Sequence, residues 1–138
     1  MSQTAIFWPM LVQVALVYGV YALVSQRRIA AVKAGRARAA QFRDNRDEPD
    51  ESLFAVNNLK NQFELPVLFY ALCLALYVTG GVTILTLTLA WLFVVARLAH
   101  AWVHVTSNRL QARRPIFVAG FLALGAGWLV FAVQLLLQ

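Results

Sequence analysis

All twelve lysine and arginine residues of this 138-residue chain fall in two stretches, 27–60 and 97–114. Outside them Glu64 is the one charged side chain. Residues are 61% apolar and only 13% charged, against about 25% charged in an ordinary soluble domain. A soluble chain this short could not hide so much apolar surface, so lipid must be the solvent for most of it. The net charge of +6 raises nucleic acid as a partner. The basic residues are not interleaved with aromatic ones, however, and a membrane-surface, orienting role fits better. No nucleic-acid partner is expected.

Cys73 is the single cysteine, so neither an intrachain disulfide nor a cysteine-built zinc site is available. Lying among Leu72, Leu74 and Leu76, it reads as a small buried apolar residue. The first residues lack the basic segment and small-residue cleavage site of a signal peptide, so the first apolar run is expected to be a retained span.

Four segments are long and apolar enough to cross a bilayer: about 5–25, 53–78, 82–106 and 116–137. They are continuous rather than alternating, which predicts helices and not a barrel. The fold class expected is all-α, an integral membrane four-helix bundle forming a single domain. Thr79-Gly80-Gly81 makes a tight uncharged turn between spans two and three. Residues 26–43 are rich in Ala and Arg and are expected to continue the first helix out of the membrane. The acidic stretch 44–52, with Pro49 in it, reads as a solvated loop. By the positive-inside rule the loops 26–52 and 107–115 face the cytoplasm, and both termini face the other side. In the fourth span Ala119, Ala123 and Gly127 recur every four residues. Such a stripe allows close helix approach, within the bundle or between subunits.

Polar residues gather where two spans meet the basic loops. Asn57, Asn61 and Glu64 follow i, i+4, i+7 at the start of span two and share a helical face. A carboxylate there should face the bundle and have a cationic partner. At the end of span three, Arg97, His100, His104 and Asn108 share another face. The hairpin brings the two ends together, so Glu64 and Arg97 are expected within pairing distance. Arg109, Arg113 and Arg114 follow in the next loop, and Arg27 and Arg28 approach from helix one. Guanidinium forks bind carboxylates, a lone Glu can receive an ammonium group, and a thiol near arginines is stabilised as its thiolate. A small anionic thiol carrying two carboxylates and one ammonium would fit. The alternatives are a structural Glu64–Arg97 ion pair with arginines that only anchor the bundle at headgroups, or a His100/His104 zinc site with Glu64 as third ligand.

The order and placement of Asn61-Gln62-Phe63-Glu64-Leu65-Pro66 and Arg97-Leu98-Ala99-His100 resemble the MAPEG family, the membrane-associated proteins of eicosanoid and glutathione metabolism. The pattern from Arg97 through His100 and His104 to Asn108 looks most like its bacterial branch. The resemblance implies a homotrimer of four-helix bundles in a bacterial inner membrane. Glutathione, the co-substrate, would bind between protomers near the cytoplasmic side. It further implies that Arg28, Asn57, Asn61, Glu64, Arg97 and His100 form the glutathione site, with Glu64 near the ammonium group and Arg97 and Arg28 at carboxylates. Arg113, or next Arg114, would stabilise the thiolate, and His104 would be a proton donor or a structural hydrogen-bonding group. Two positions depart from better-studied members: Asn57 stands where they carry Arg, and His104 where many carry Tyr. The implied activity is a glutathione transferase or peroxidase acting on lipophilic electrophiles or lipid hydroperoxides that arrive from membrane lipid. The rival reading is a non-enzymatic lipid-binding or scaffold member of the same fold. A small transporter fits less well, because the charges sit near one interface and do not line a path across.

Overall fold

The computed structural model describes residues 2–43 and 47–137. It is all-helical among those residues, with five α-helices: α1 (Phe7–Lys33), α2 (Asp50–Asn61), α3 (Leu65–Val78), α4 (Ile84–Val105) and α5 (Leu110–Leu136). Short 3₁₀ turns cover Gln3–Ile6 and Ala39–Arg43. Together α2 and α3 make one of four segments long and apolar enough to cross a bilayer; α1, α4 and α5 supply the others.

Helix ends follow local chemistry. Gly35 and Gly80 adopt positive φ, 71° and 67°, where an L side chain would clash. Each closes its helix with the paired hydrogen bonds of a Schellman turn, Arg36 to Ala31 with Gly35 to Val32, and Gly81 to Leu76 with Gly80 to Tyr77. The first helix therefore stops at Lys33 and does not continue to residue 43 as its composition suggests. Thr83 and Thr86 exchange side-chain and backbone bonds in a capping box that starts α4. The last loop is shorter than the expected 107–115. Helix α5 already begins at Leu110 and carries Pro115 within it, close enough to the N-terminus that few backbone bonds are lost.

The second span is not one helix. Pro66 has no N–H to donate and its ring crowds the carbonyl four residues back, so α2 ends at Asn61 and α3 starts at Leu65. Glu64 sits at the N-cap of α3 with φ −101° and ψ −105°.

The main core is apolar: Phe69 stacks on Phe93 at 4.6 Å between centroids, surrounded by Leu72, Leu76, Val94 and Leu124. Cys73 is buried in the same cluster. Many large apolar side chains point outward, Trp102 at 72% exposure and Tyr18 at 72% among them, as expected where hydrocarbon is the solvent. In α5 the inward stripe is Gly120, Leu124 and Gly127, not Ala119, Ala123 and Gly127, because Ala119 is exposed. A β-carbon on Gly127 would lie 2.7 Å from Leu72 of α3, so that close approach is made inside the bundle.

Both ends of the described chain meet the Gly80–Gly81 turn. The Gln3 amide bonds the backbone N–H and C=O of Val82, and Gln134 donates to the Gly81 carbonyl. The arginine-bearing ends lie at the opposite pole. There Arg27 donates to the carbonyls of Val105 (2.8 Å) and Glu51 (3.4 Å), tying the C-terminus of α4 to the start of α2.

Candidate functional site

At the arginine pole, α2, α4 and α5 enclose two adjoining grooves. One, of about 310 Å³, is lined by Asn57, Lys60, Asn61, Glu64, His104 and Arg113. The other, of about 250 Å³, is lined by Asn61, Glu64, His100, Leu110, Arg113, Arg114 and Phe117. Asn61, Glu64 and Arg113 are common to both. Arg113 is half-buried and held by the side-chain oxygen of Asn108 at 2.6 Å; Arg114 is exposed. Asn108 itself has φ 48°, a conformation Asn tolerates better than most residues.

Two expectations need correction. Glu64 lies at the edge of the grooves rather than inside the bundle, and it forms no ion pair with Arg97, although its charge acts on that guanidinium. The helix break leaves it exposed, at the edge of the groove it shares with Asn57 and Asn61. Among the described residues no cation lies within ion-pairing distance, 4.0 Å, of its carboxylate. Arg97 stands behind the grooves, only 2% exposed, and donates to the backbone carbonyl of Asn61 at 2.9 Å. It satisfies a carbonyl that the break in the second span leaves without its helical partner. The physical reason is the same for both: Pro66 interrupts the helix, which exposes one acidic side chain and orphans one carbonyl.

His104 and His100 are buried, with edge-to-face rings 5.5 Å apart. His100 also packs on Phe117, its Nδ1 buried without a hydrogen-bond partner. Among the described residues no three metal-ligating side chains come together, so the zinc reading finds no third ligand.

Arg28 is placed elsewhere. It grips Glu48 through two bonds of 2.9 and 2.6 Å and lies over the ring of Phe42. This pair lines a separate cavity of about 430 Å³, which adjoins the first groove through Asn57 and Lys60. Burial pushes the Glu48 carboxyl up, but the hydrogen bonds from Arg28 and Ser52 and the Arg28 charge outweigh it and hold the group below its ordinary value of 4.5.

Three polar residues escaped the sequence reading. The buried amides of Gln13, Gln62 and Asn58 form a chain: Gln13 to Gln62 at 3.0 Å, Gln62 to Asn58 at 3.0 Å, and Asn58 to Nδ1 of His104 at 3.3 Å. Asn61 reaches the same nitrogen at 3.4 Å. The available signal was Gln13, a single amide within an otherwise apolar span, which needs a partner when buried.

Residues 5–133 match the MAPEG family. The chain belongs to the MAPEG family. Members of the family include glutathione transferases and peroxidases, and the four apolar crossing segments make this MAPEG chain an integral membrane protein. No curated protein and no solved structure matches it.

Proposed function

We propose that this MAPEG protein is a membrane-bound glutathione transferase or peroxidase, working as a homotrimer in a bacterial inner membrane with its arginine pole toward the cytoplasm. One observation carries the reading. Glu64 shares both grooves with the Arg113 guanidinium, and the two do not neutralise each other within ion-pairing distance. A groove offering a carboxylate on one side and a guanidinium on another suits a zwitterionic ligand. Asn57, Asn61 and His104 add amide and imidazole groups that fit the peptide part of glutathione. The exposure of Glu64 at the edge of an apolar span supports a neighbouring copy covering it, since a carboxylate facing lipid costs several kcal/mol. The one-sided placement of Lys and Arg supports the orientation.

Arg113 would hold the sulfur as thiolate, with Arg114 beside it at the groove edge. In transfer, the sulfur bonds an electrophilic carbon as the leaving group departs with its electron pair. In peroxide reduction, two thiols become a disulfide while the hydroperoxide becomes an alcohol and water. Arg97, enclosed behind the groove, acts in this reading by fixing Asn61.

Calorimetry of glutathione binding to detergent-purified protein tests the proposal. Wild type binds at millimolar glutathione or tighter, and Glu64→Ala binds about tenfold more weakly, the loss of one charge-assisted contact. Absence of binding by wild type would favour the non-enzymatic scaffold, and an unchanged Glu64→Ala would move the ammonium site away from Glu64.

A further inference from the structure

The amide chain that ends on His104 is more elaborate than helix packing requires. Gln13 is fully buried in α1, Asn58 is buried on α2, and Gln62 is buried just past the end of α2. None of the three lines either groove. Apolar residues could fill the same space without three mutually dependent amides. The chain has a direction. The nitrogen of Gln13 donates to the oxygen of Gln62, the nitrogen of Gln62 to the oxygen of Asn58, and the nitrogen of Asn58 meets His104 Nδ1. The Asn61 amide nitrogen converges on the same ring atom. With both amide nitrogens turned toward it, Nδ1 is placed to accept, an arrangement that puts the ring proton on Nε2. His104 lines the groove shared by Glu64 and Arg113.

We infer that the Gln13–Gln62–Asn58 chain, with Asn61, positions His104 as its Nε2–H tautomer, so that the groove receives a fixed neutral hydrogen-bond donor. The carboxamides are positioning residues that act through the ring. The donor suits an anionic oxygen or sulfur of the bound molecule, and it cannot serve as a base through Nε2 in this state. Its consequence for glutathione rests on the function proposed above; the tautomer itself does not.

Nitrogen-15 NMR of histidine-labelled protein in detergent reads the tautomer directly, with His100→Gln assigning the two rings. Wild type is expected to show His104 protonated at Nε2. Asn58→Asp keeps the size of the side chain but offers only acceptors, so the proton moves to Nδ1. Gln13→Leu, two links from the ring, leaves a mixture of tautomers. Both variants weaken glutathione about tenfold, the scale of one misdirected hydrogen bond. Wild-type His104 protonated at Nδ1, or Nε2–H retained in both variants, overturns the inference. If wild type binds no glutathione while the ring signals behave as stated, the thiol reading fails and the positioning chain stands.

Discussion

The guanidinium of Arg97 donates to the backbone carbonyl of Asn61 at 2.9 Å, joining α4 to the interrupted end of α2. The contact turns a helix break, a weak point in an apolar solvent, into a fixed corner beside the grooves. It also places a cation at a helix C-terminus, where the macrodipole favours it. Arg97→Met, which keeps volume and removes the donors, should lower stability by about 1–3 kcal/mol, the cost of an unsatisfied buried carbonyl. Thermal unfolding in detergent checks this. An unchanged midpoint would mean the carbonyl has another partner.

Arg113 and Arg114 are neighbours in sequence but not equivalent in place. Arg113→Ala should lower glutathione transfer or peroxidase turnover by about 10²–10³, the scale for removing one stabilising donor, and should reduce thiolate absorbance near neutral pH. Arg114→Ala should change both far less. Equal effects would show that the half-buried position of Arg113 confers no advantage.

Asn108 separates orientation from stability. Asn108→Gly keeps the positive φ accessible but removes the oxygen that holds Arg113. The unfolding midpoint should stay within about 0.5 kcal/mol equivalents of wild type, while turnover falls toward that of Arg113→Ala. Preserved turnover would show that Arg113 needs no tether.

Acidification tests the Arg28–Glu48 pair. Its carboxyl is held below its ordinary value when folded. The unfolded chain therefore binds the proton more readily, and the stabilisation is present above the unfolded value and lost as pH falls through the folded one. Amide protection in residues 34–43, corrected for intrinsic exchange, should drop below about pH 4.5. Glu48→Gln should lower protection at neutral pH and flatten the profile. A wild-type profile as flat as that of the variant would exclude the pair as the anchor of this segment.

Gly127 and Gly125 make a matched pair on α5. Gly127→Leu should destabilise by about 1–3 kcal/mol through overpacking against Leu72. Gly125→Ala, with nothing within 4 Å of the new carbon, should be neutral or stabilising by up to about 1 kcal/mol. Destabilisation at Gly125 in the purified oligomer alone would instead mark a subunit contact.

Much of this architecture follows from composition along the chain. Four apolar segments longer than a bilayer core, with every Lys and Arg confined to two stretches, leave helices as the economical way to satisfy the backbone in lipid. Gly80 and Gly81 announce the hairpin, and the Asn61-to-Pro66 and Arg97-to-His100 stretches announce the family. Placement of individual side chains was not legible in that way. Helical spacing set Asn57, Asn61 and Glu64 on one face, and all three do line one groove, yet Pro66 breaks the helix among them and leaves Glu64 exposed at the groove edge. Opposite charge matched Glu64 with Arg97, but a guanidinium in a dry interior takes whichever acceptor geometry brings to it, and here that is the Asn61 carbonyl. The buried amides were invisible for a similar reason. A hydrogen bond between residues 13 and 62 is decided by how two helices pack, and periodicity within either helix carries no information about the rotation of its neighbour.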